Sequence, residues 1–190
     1  MTLRRSIIHV LLAASVAANA ALADKVLRLD RAIASAEARP SLEHGAKAPD
    51  LVLHEASGTA VNIRYSESQL PTVLYVISPT CNWCTRNRQP ATALSAALAN
   101  RARFVGVLIG APTRDSLFRF LSTEAMPFPI YTGLSDEDGR RLRLRSTPTT
   151  IVVSNAAAVL AVWEGAYAGS VKAGIEQYFD LTLPAIGPGQ

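Results

Sequence analysis

From Leu51 onward the chain alternates short apolar runs with longer stretches in which apolar residues return every third or fourth position. "DLVLHEASGTAVNI" holds two short alternating runs around Ser57-Gly58, a pair suited to reversing the chain, and predicts a β-hairpin. "TVLYVIS", Thr72 to Ser78, is a continuous apolar run rich in β-branched and aromatic residues, bounded by Pro71 and Pro79. Such a run predicts a strand covered on both faces at the centre of a sheet. "RFVGVLIG", Arg103 to Gly110, predicts a second one. Between them "TRNRQPATALSAALAN" has helical period, with Pro90 inside it as an expected kink. Further on, "TRDSLFRFLSTEA" reads as a helix, "PFPIYT" as a short extended piece, and "SDEDGRRLRLR" as a helix opened by Ser135. "TPTTIVVSN" and "VLAVWEG" are strands around a turn at Asn155, and "SVKAGIEQYFDL" is a final helix capped by Ser170. This order predicts an α/β fold with one mixed sheet and helices on both of its faces.

The first 23 residues follow a different pattern: Arg4 and Arg5, an uncharged apolar run from Ile7 to Ala18, then "ANA" and "ALA" before Asp24. Basic end, apolar core and small residues are the order of a secretory signal. Cleavage after Ala20 or Ala23 fits, and retention as an N-terminal membrane anchor is the alternative; either way the body is exported. Residues 24–45 then read as an N-terminal helix and linker, with Val26, Leu29 and Ile33 at helical spacing and Pro40 closing the pattern. Residues 46–182 form one domain, consistent with 190 residues of which 49% are hydrophobic, and 183–190 read as a flexible tail.

Losing residues 1–23 removes two arginines and no acid, taking the formal charge from +4 to +2. The densest basic run, "GRRLRLR" from Gly139, reads as a solvated helix face, and no basic stripe with interleaved aromatics remains. Nucleic acid is therefore not an expected partner.

Both cysteines of the chain, Cys81 and Cys84, lie in "SPTCNWCTRNRQP" at the junction between the first central strand and the helix after it. A structural zinc site needs four ligands, and His44 and His54 lie far off in the N-terminal part, so no metal site is expected. Covalent haem needs a histidine after the second cysteine, where Thr85 stands. A disulfide that only stabilises closes a long loop, and this pair closes almost none. Dithiol chemistry remains. At a helix start the unpaired amides and the helix dipole favour a thiolate, which makes Cys81 the expected nucleophile. One turn on, Cys84 returns to the same side as the resolving thiol. Arg86 and Arg88 add positive potential or are simply solvated. Trp83, between the cysteines, is either a surface for substrate contact or a shield for the disulfide.

A strand ending in C-x-x-C, a kinked helix, and Thr147-Pro148 before a hairpin and terminal helix together resemble the thioredoxin superfamily. More narrowly the chain resembles the exported TlpA/ResA-like thiol–disulfide oxidoreductases. "AKAPDLVLHEASGTAVNI" is similar to their lead-in hairpin, and Pro127 to Arg145 to their central strand-helix insertion. The resemblance implies a thioredoxin-like mixed sheet flanked by helices. It also implies a cis bond at Pro148, facing the cysteines and keeping metal ions from them, and a Thr147 backbone that docks an extended peptide. The chain departs from that family in three places. Asn82 and Trp83 stand where a proline is frequent, Tyr75 where thioredoxins bury an acid, and Asn87 where some ResA-like reductases carry a glutamate. Proton transfer at Cys84 is left without an evident carboxylate.

The function expected from these readings is periplasmic thiol–disulfide exchange with exported protein substrates. Reduction is the favoured direction, as in cytochrome c maturation. No cofactor is expected; the chain would work as a monomer, recycled by a membrane electron-transfer partner. An oxidase or isomerase suits the same compartment. A copper-handling dithiol is the rival of another class, though Met126 is the only methionine besides Met1. Thiol peroxidase chemistry fits less well, because Ser78 and Leu74 stand where its threonine and proline are expected.

Overall fold

The computed structural model describes residues 14–29, 42–110, 113, 117, 120–122 and 126–188. The chain divides into two compact units, Met1–Ser41 and Leu42–Gln190. In the first, residues 14–29 are helical and exposed throughout. The remainder of the predicted N-terminal helix, up to Pro40, lies outside the described residues. Among the described residues no helix is long and apolar enough to cross a membrane.

The second unit is built on a five-stranded sheet of order β5-β4-β3-β6-β7. Its central strand β3 (Thr72–Ile77) is buried along its whole length, as its apolar run predicts. β4 (Arg103–Leu108) runs parallel to it with Leu74 beside Val105, and β6 (Thr149–Val153) runs antiparallel on the other side with Leu74 beside Ile151. β5 (Ile130–Tyr131) extends the parallel half, and β7 (Val159–Glu164) the antiparallel half. Gly106 of β4 allows the close approach of β5, since a Cβ there would lie 2.8 Å from the Ile130 side chain.

Alternation along β3 divides the interior in two. Val73, Tyr75 and Ile77 face one core, which includes Cys84, Ala91, Leu94 and Leu98 from the helices after the strand and Ile175 and Phe179 from the last one. Leu74 and Val76 face the other, closed by Leu51, Leu53, Ile63 and Tyr65 from the N-terminal hairpin and by Leu142. That hairpin, β1 (Leu51–His54) and β2 (Ala60–Ile63), turns through Gly58 at φ +93°, a conformation that favours glycine. Bridges from Lys47 to Ala158 and from His54 to Thr132 tie it to the main sheet.

Packed around the sheet are α1 (Asn82–Arg86), α2 (Arg88–Ala97), α3 (Asp136–Arg141) and α4 (Gly169–Phe179). Four details differ from the sequence expectation. The break between α1 and α2 falls at Asn87, not at Pro90, because a proline ring disturbs the carbonyl four residues before it. Ser135 does cap α3, taking the Asp138 amide at 3.0 Å, but the helix stops at Arg141: Leu142 is buried and Arg143 turns to φ +49°. The basic run is thus only partly a helix face, and Arg145 pairs with Glu164 at 2.7 Å. α4 is preceded by Ala168 with no side-chain cap, and Ser170 lies inside it. Finally, the segment read as a flexible tail is held at Leu183, which is buried, and at Gly187, which pairs with Arg86; residues 189–190 lie outside the described residues. Of the helix expected over 113–125, Leu117 and residues 120–122 are helical and most of the rest is outside the described residues.

Candidate active site

The carboxyl end of the central strand β3 is followed by a short turn in which the Cys81 amide donates to the Ser78 carbonyl at 3.1 Å. Cys81 has extended backbone and is the N-cap of α1, so its sulfur occupies the place of a capping oxygen and accepts the Cys84 amide at 3.0 Å. The two cysteines form a disulfide with their Cα atoms 5.2 Å apart. Their surroundings differ. Cys81 is half-buried, whereas Cys84 is 2% exposed and belongs to the helix-face core. Of the two sulfurs, that of Cys81 is the more accessible, and the Cys84 amide is aimed at it.

The loop before β6 brings the second element. The Thr147-Pro148 bond is cis, and the Thr147 carbonyl oxygen lies 3.3 Å from Cys81 Sγ. Pro148 is buried, and its carbonyl accepts the Gly165 amide at 2.8 Å, which joins the loop to the end of β7. Cys81, Cys84, Thr147 and Pro148 are thus assembled from segments 66 positions apart.

Trp83 is 51% exposed on α1. Arg86 is neither free nor merely solvated: its guanidinium lies 4.5 Å from the Trp83 ring centroid, and its Nε donates to the Gly187 carbonyl at 3.0 Å.

Sequence reasoning missed what lies beneath α1. Asn87 is fully buried at the α1–α2 break and uses both ends of its amide. Its Nδ2 donates to the Tyr75 hydroxyl at 2.9 Å, and its Oδ1 accepts the Tyr167 backbone amide at 2.7 Å. The Tyr167 hydroxyl in turn meets Thr150 Oγ1 at 2.8 Å, two residues past Pro148. This chain of buried polar groups links α1, β3, β6 and the loop before α4. Burial holds the Tyr167 hydroxyl well above the ordinary tyrosine value of 10.0, and the neighbouring Tyr75 adds to the effect, so the ring stays neutral and serves as a hydrogen-bonding post. Tyr75 and Asn87, the two positions where the resemblance led to an expectation of acids, are therefore bonded to each other. The available signal was Asn87 one helical turn past Cys84 and Tyr75 six residues before Cys81, both neutral; Tyr167, 80 positions beyond Asn87, gave none.

Among the described residues no cluster of three or more His, Cys, Asp or Glu side chains could hold a metal ion. No protein-family profile matches the chain, and neither does any curated protein. Solved structures do. A Chlorobium tepidum protein named as thiol:disulfide interchange protein DsbE is 23% identical over 74% of this chain and 98% of its own, with TM-score 0.62. StoA from Bacillus subtilis is 14% identical over 70% and 98%, with TM-score 0.56. A secreted Mycobacterium tuberculosis disulfide oxidoreductase is 16% identical over 68% and 93%, with TM-score 0.54. With its five-stranded mixed sheet, dithiol helix and cis-proline loop, this chain has the thioredoxin-like fold that these thiol:disulfide proteins share.

Proposed function

We propose that the protein is a thiol–disulfide oxidoreductase of the exported, TlpA/ResA-like kind, acting on protein substrates through Cys81 and Cys84. One observation carries the reading: a half-exposed Cys81 sulfur that accepts the Cys84 amide at 3.0 Å and sits 3.3 Å from the Thr147 carbonyl. The similar structures named as interchange proteins support it.

In the reduced protein the Cys81 thiolate attacks one sulfur of a substrate disulfide, forming a mixed disulfide and releasing a substrate thiolate that takes up a proton. Cys84 then loses its proton and attacks the Cys81 sulfur. The second substrate thiol leaves, and two electrons have passed from the protein to the substrate. The Cys81–Cys84 disulfide is the oxidised end of that cycle, which a dithiol donor at the membrane resets. Thr147 and Trp83 form the docking surface, with an extended substrate segment laid along the Thr147 backbone. The basic and apolar N-terminus supports work in the periplasm, and the cleaved domain acts as a monomer.

The test is insulin or peptide disulfide reduction driven by dithiothreitol. Cys81→Ser abolishes turnover, and Cys84→Ser accumulates a mixed disulfide with the substrate. Unchanged turnover in Cys81→Ser ends the proposal. The Cys81–Cys84 reduction potential fixes the direction: near about −270 mV the protein reduces its clients, and near about −120 mV it oxidises them.

A further inference from the structure

Pro90 has no amide hydrogen, so the carbonyl four residues earlier, on Arg86, lacks the helical donor it would otherwise receive. The Gly187 amide donates to that carbonyl at 2.8 Å. Gly187 gives its own carbonyl to Arg86 Nε at 3.0 Å, so one residue of the C-terminal segment grips both the backbone and the side chain of Arg86. The segment is anchored upstream as well: Leu183 is buried and its amide donates to Glu176 Oε1 at 2.7 Å. Pro184 and Pro188 stiffen the span on either side of the grip. A free arginine side chain samples many rotamers. This one is fixed with its guanidinium 4.5 Å from the centroid of Trp83, whose ring is half exposed one position before Cys84.

We infer that residues 183–187 are a strap which, through Arg86, holds the Trp83 indole as a preset apolar wall beside the dithiol, selecting client segments with an apolar side chain flanking their disulfide. Arg86 and Gly187 are positioning residues; Trp83 makes the contact. The inference rests on the exchange reaction proposed above. A wall that is already fixed costs the client no ordering on binding, so loosening it weakens docking and leaves the chemical steps alone.

The experiment uses the full chain and two synthetic disulfide peptides, one with leucine and one with glycine flanking the cysteines. Gly187→Pro removes the amide donor. Gly187→Ala keeps it and is the control, because a Cβ there would lie at an ordinary 3.6 Å from the Arg86 carbonyl. Gly187→Pro and Arg86→Gln each raise KM for the leucine peptide about three- to tenfold, with kcat and the Cys81–Cys84 potential unchanged. The double variant is no worse than either alone. KM for the glycine peptide stays constant. Equal loss on both peptides, additive effects, or the same loss in Gly187→Ala overturns the inference. Iodide quenching of tryptophan emission reads the strap without turnover: it rises in Gly187→Pro and not in Gly187→Ala. If wild type reduces neither peptide while quenching behaves as stated, the exchange reading and the peptide selectivity fall and the strap alone stands. Unchanged quenching in Gly187→Pro sinks the strap.

Discussion

The two faces of the central sheet bury tyrosines in opposite ways. On the hairpin face Tyr65 is fully buried among leucines and isoleucines, and its hydroxyl has no hydrogen-bond partner among the described residues. On the helix face Tyr75 and Tyr167 are just as buried, yet both hydroxyls belong to a chain through Asn87 and Thr150 that ends beside the dithiol helix and the Pro148 loop. Apolar contact resists separation but tolerates sliding, whereas a hydrogen bond fixes distance and direction. Buried side-chain hydrogen bonding is concentrated where the fold must hold two cysteines against a loop from elsewhere in the chain, and the hairpin face relies on apolar packing with backbone bridges at its rim.

The contrast can be broken most severely by cutting each face. Leu53→Ala on the hairpin face costs about 2–5 kcal/mol of stability, and the exchange rate of the surviving folded protein stays at the wild-type level. Asn87→Ala removes the bond to the Tyr75 hydroxyl and strands the Tyr167 amide, costs about 2–4 kcal/mol, and also slows exchange about tenfold as the dithiol helix loses its register. Urea unfolding with single-turnover exchange separates the two. Equal exchange rates would show that the polar chain does not position the site.

A smaller effect follows from Tyr167→Phe, which leaves Thr150 Oγ1 unpaired and costs about 1–2 kcal/mol near neutral pH. The same ring governs alkaline stability. Its folded-state ionisation lies well above 10.0, so its contribution is complete below pH 10 and is lost as pH rises through the raised folded value. Tyr65, raised chiefly by burial and then by Asp50, acts in the same direction. Stability measured from pH 8 upward should therefore fall beyond pH 10, and either tyrosine-to-phenylalanine variant should flatten that fall. At neutral pH Tyr65→Phe has the smallest effect, from neutral to about 1 kcal/mol stabilising, because it removes an unpaired hydroxyl. A loss as large as that of Tyr167→Phe would erase the difference between the faces.

Local pattern made the strands legible. β3, β4, β6 and β7 are the longest apolar runs of the domain, and apolar runs of that length between turn residues have few other uses. The dithiol was legible from its spacing and its strand-to-helix position, and the Pro148 loop from resemblance. What stayed hidden is pairing between distant residues. Nothing in "TRNRQP" announces that Asn87 receives an amide from Tyr167 or that Arg86 is gripped by Gly187, because hydrogen bonds 80 and 101 positions apart leave no period in the sequence. The missing cap of α4 and the early end of α3 are cases where tertiary contacts, Leu142 in the hairpin core above all, overrode local propensity.

Those separations also bear on when the site exists at all. The cysteines emerge from the ribosome well before Thr147, Tyr167 and Gly187, each of which must join them. Until then the nascent chain carries two reactive thiols with no docking loop beside them and no floor beneath them. A polypeptide released anywhere short of Tyr167 would keep the complete C-x-x-C motif and lack a site to put it in.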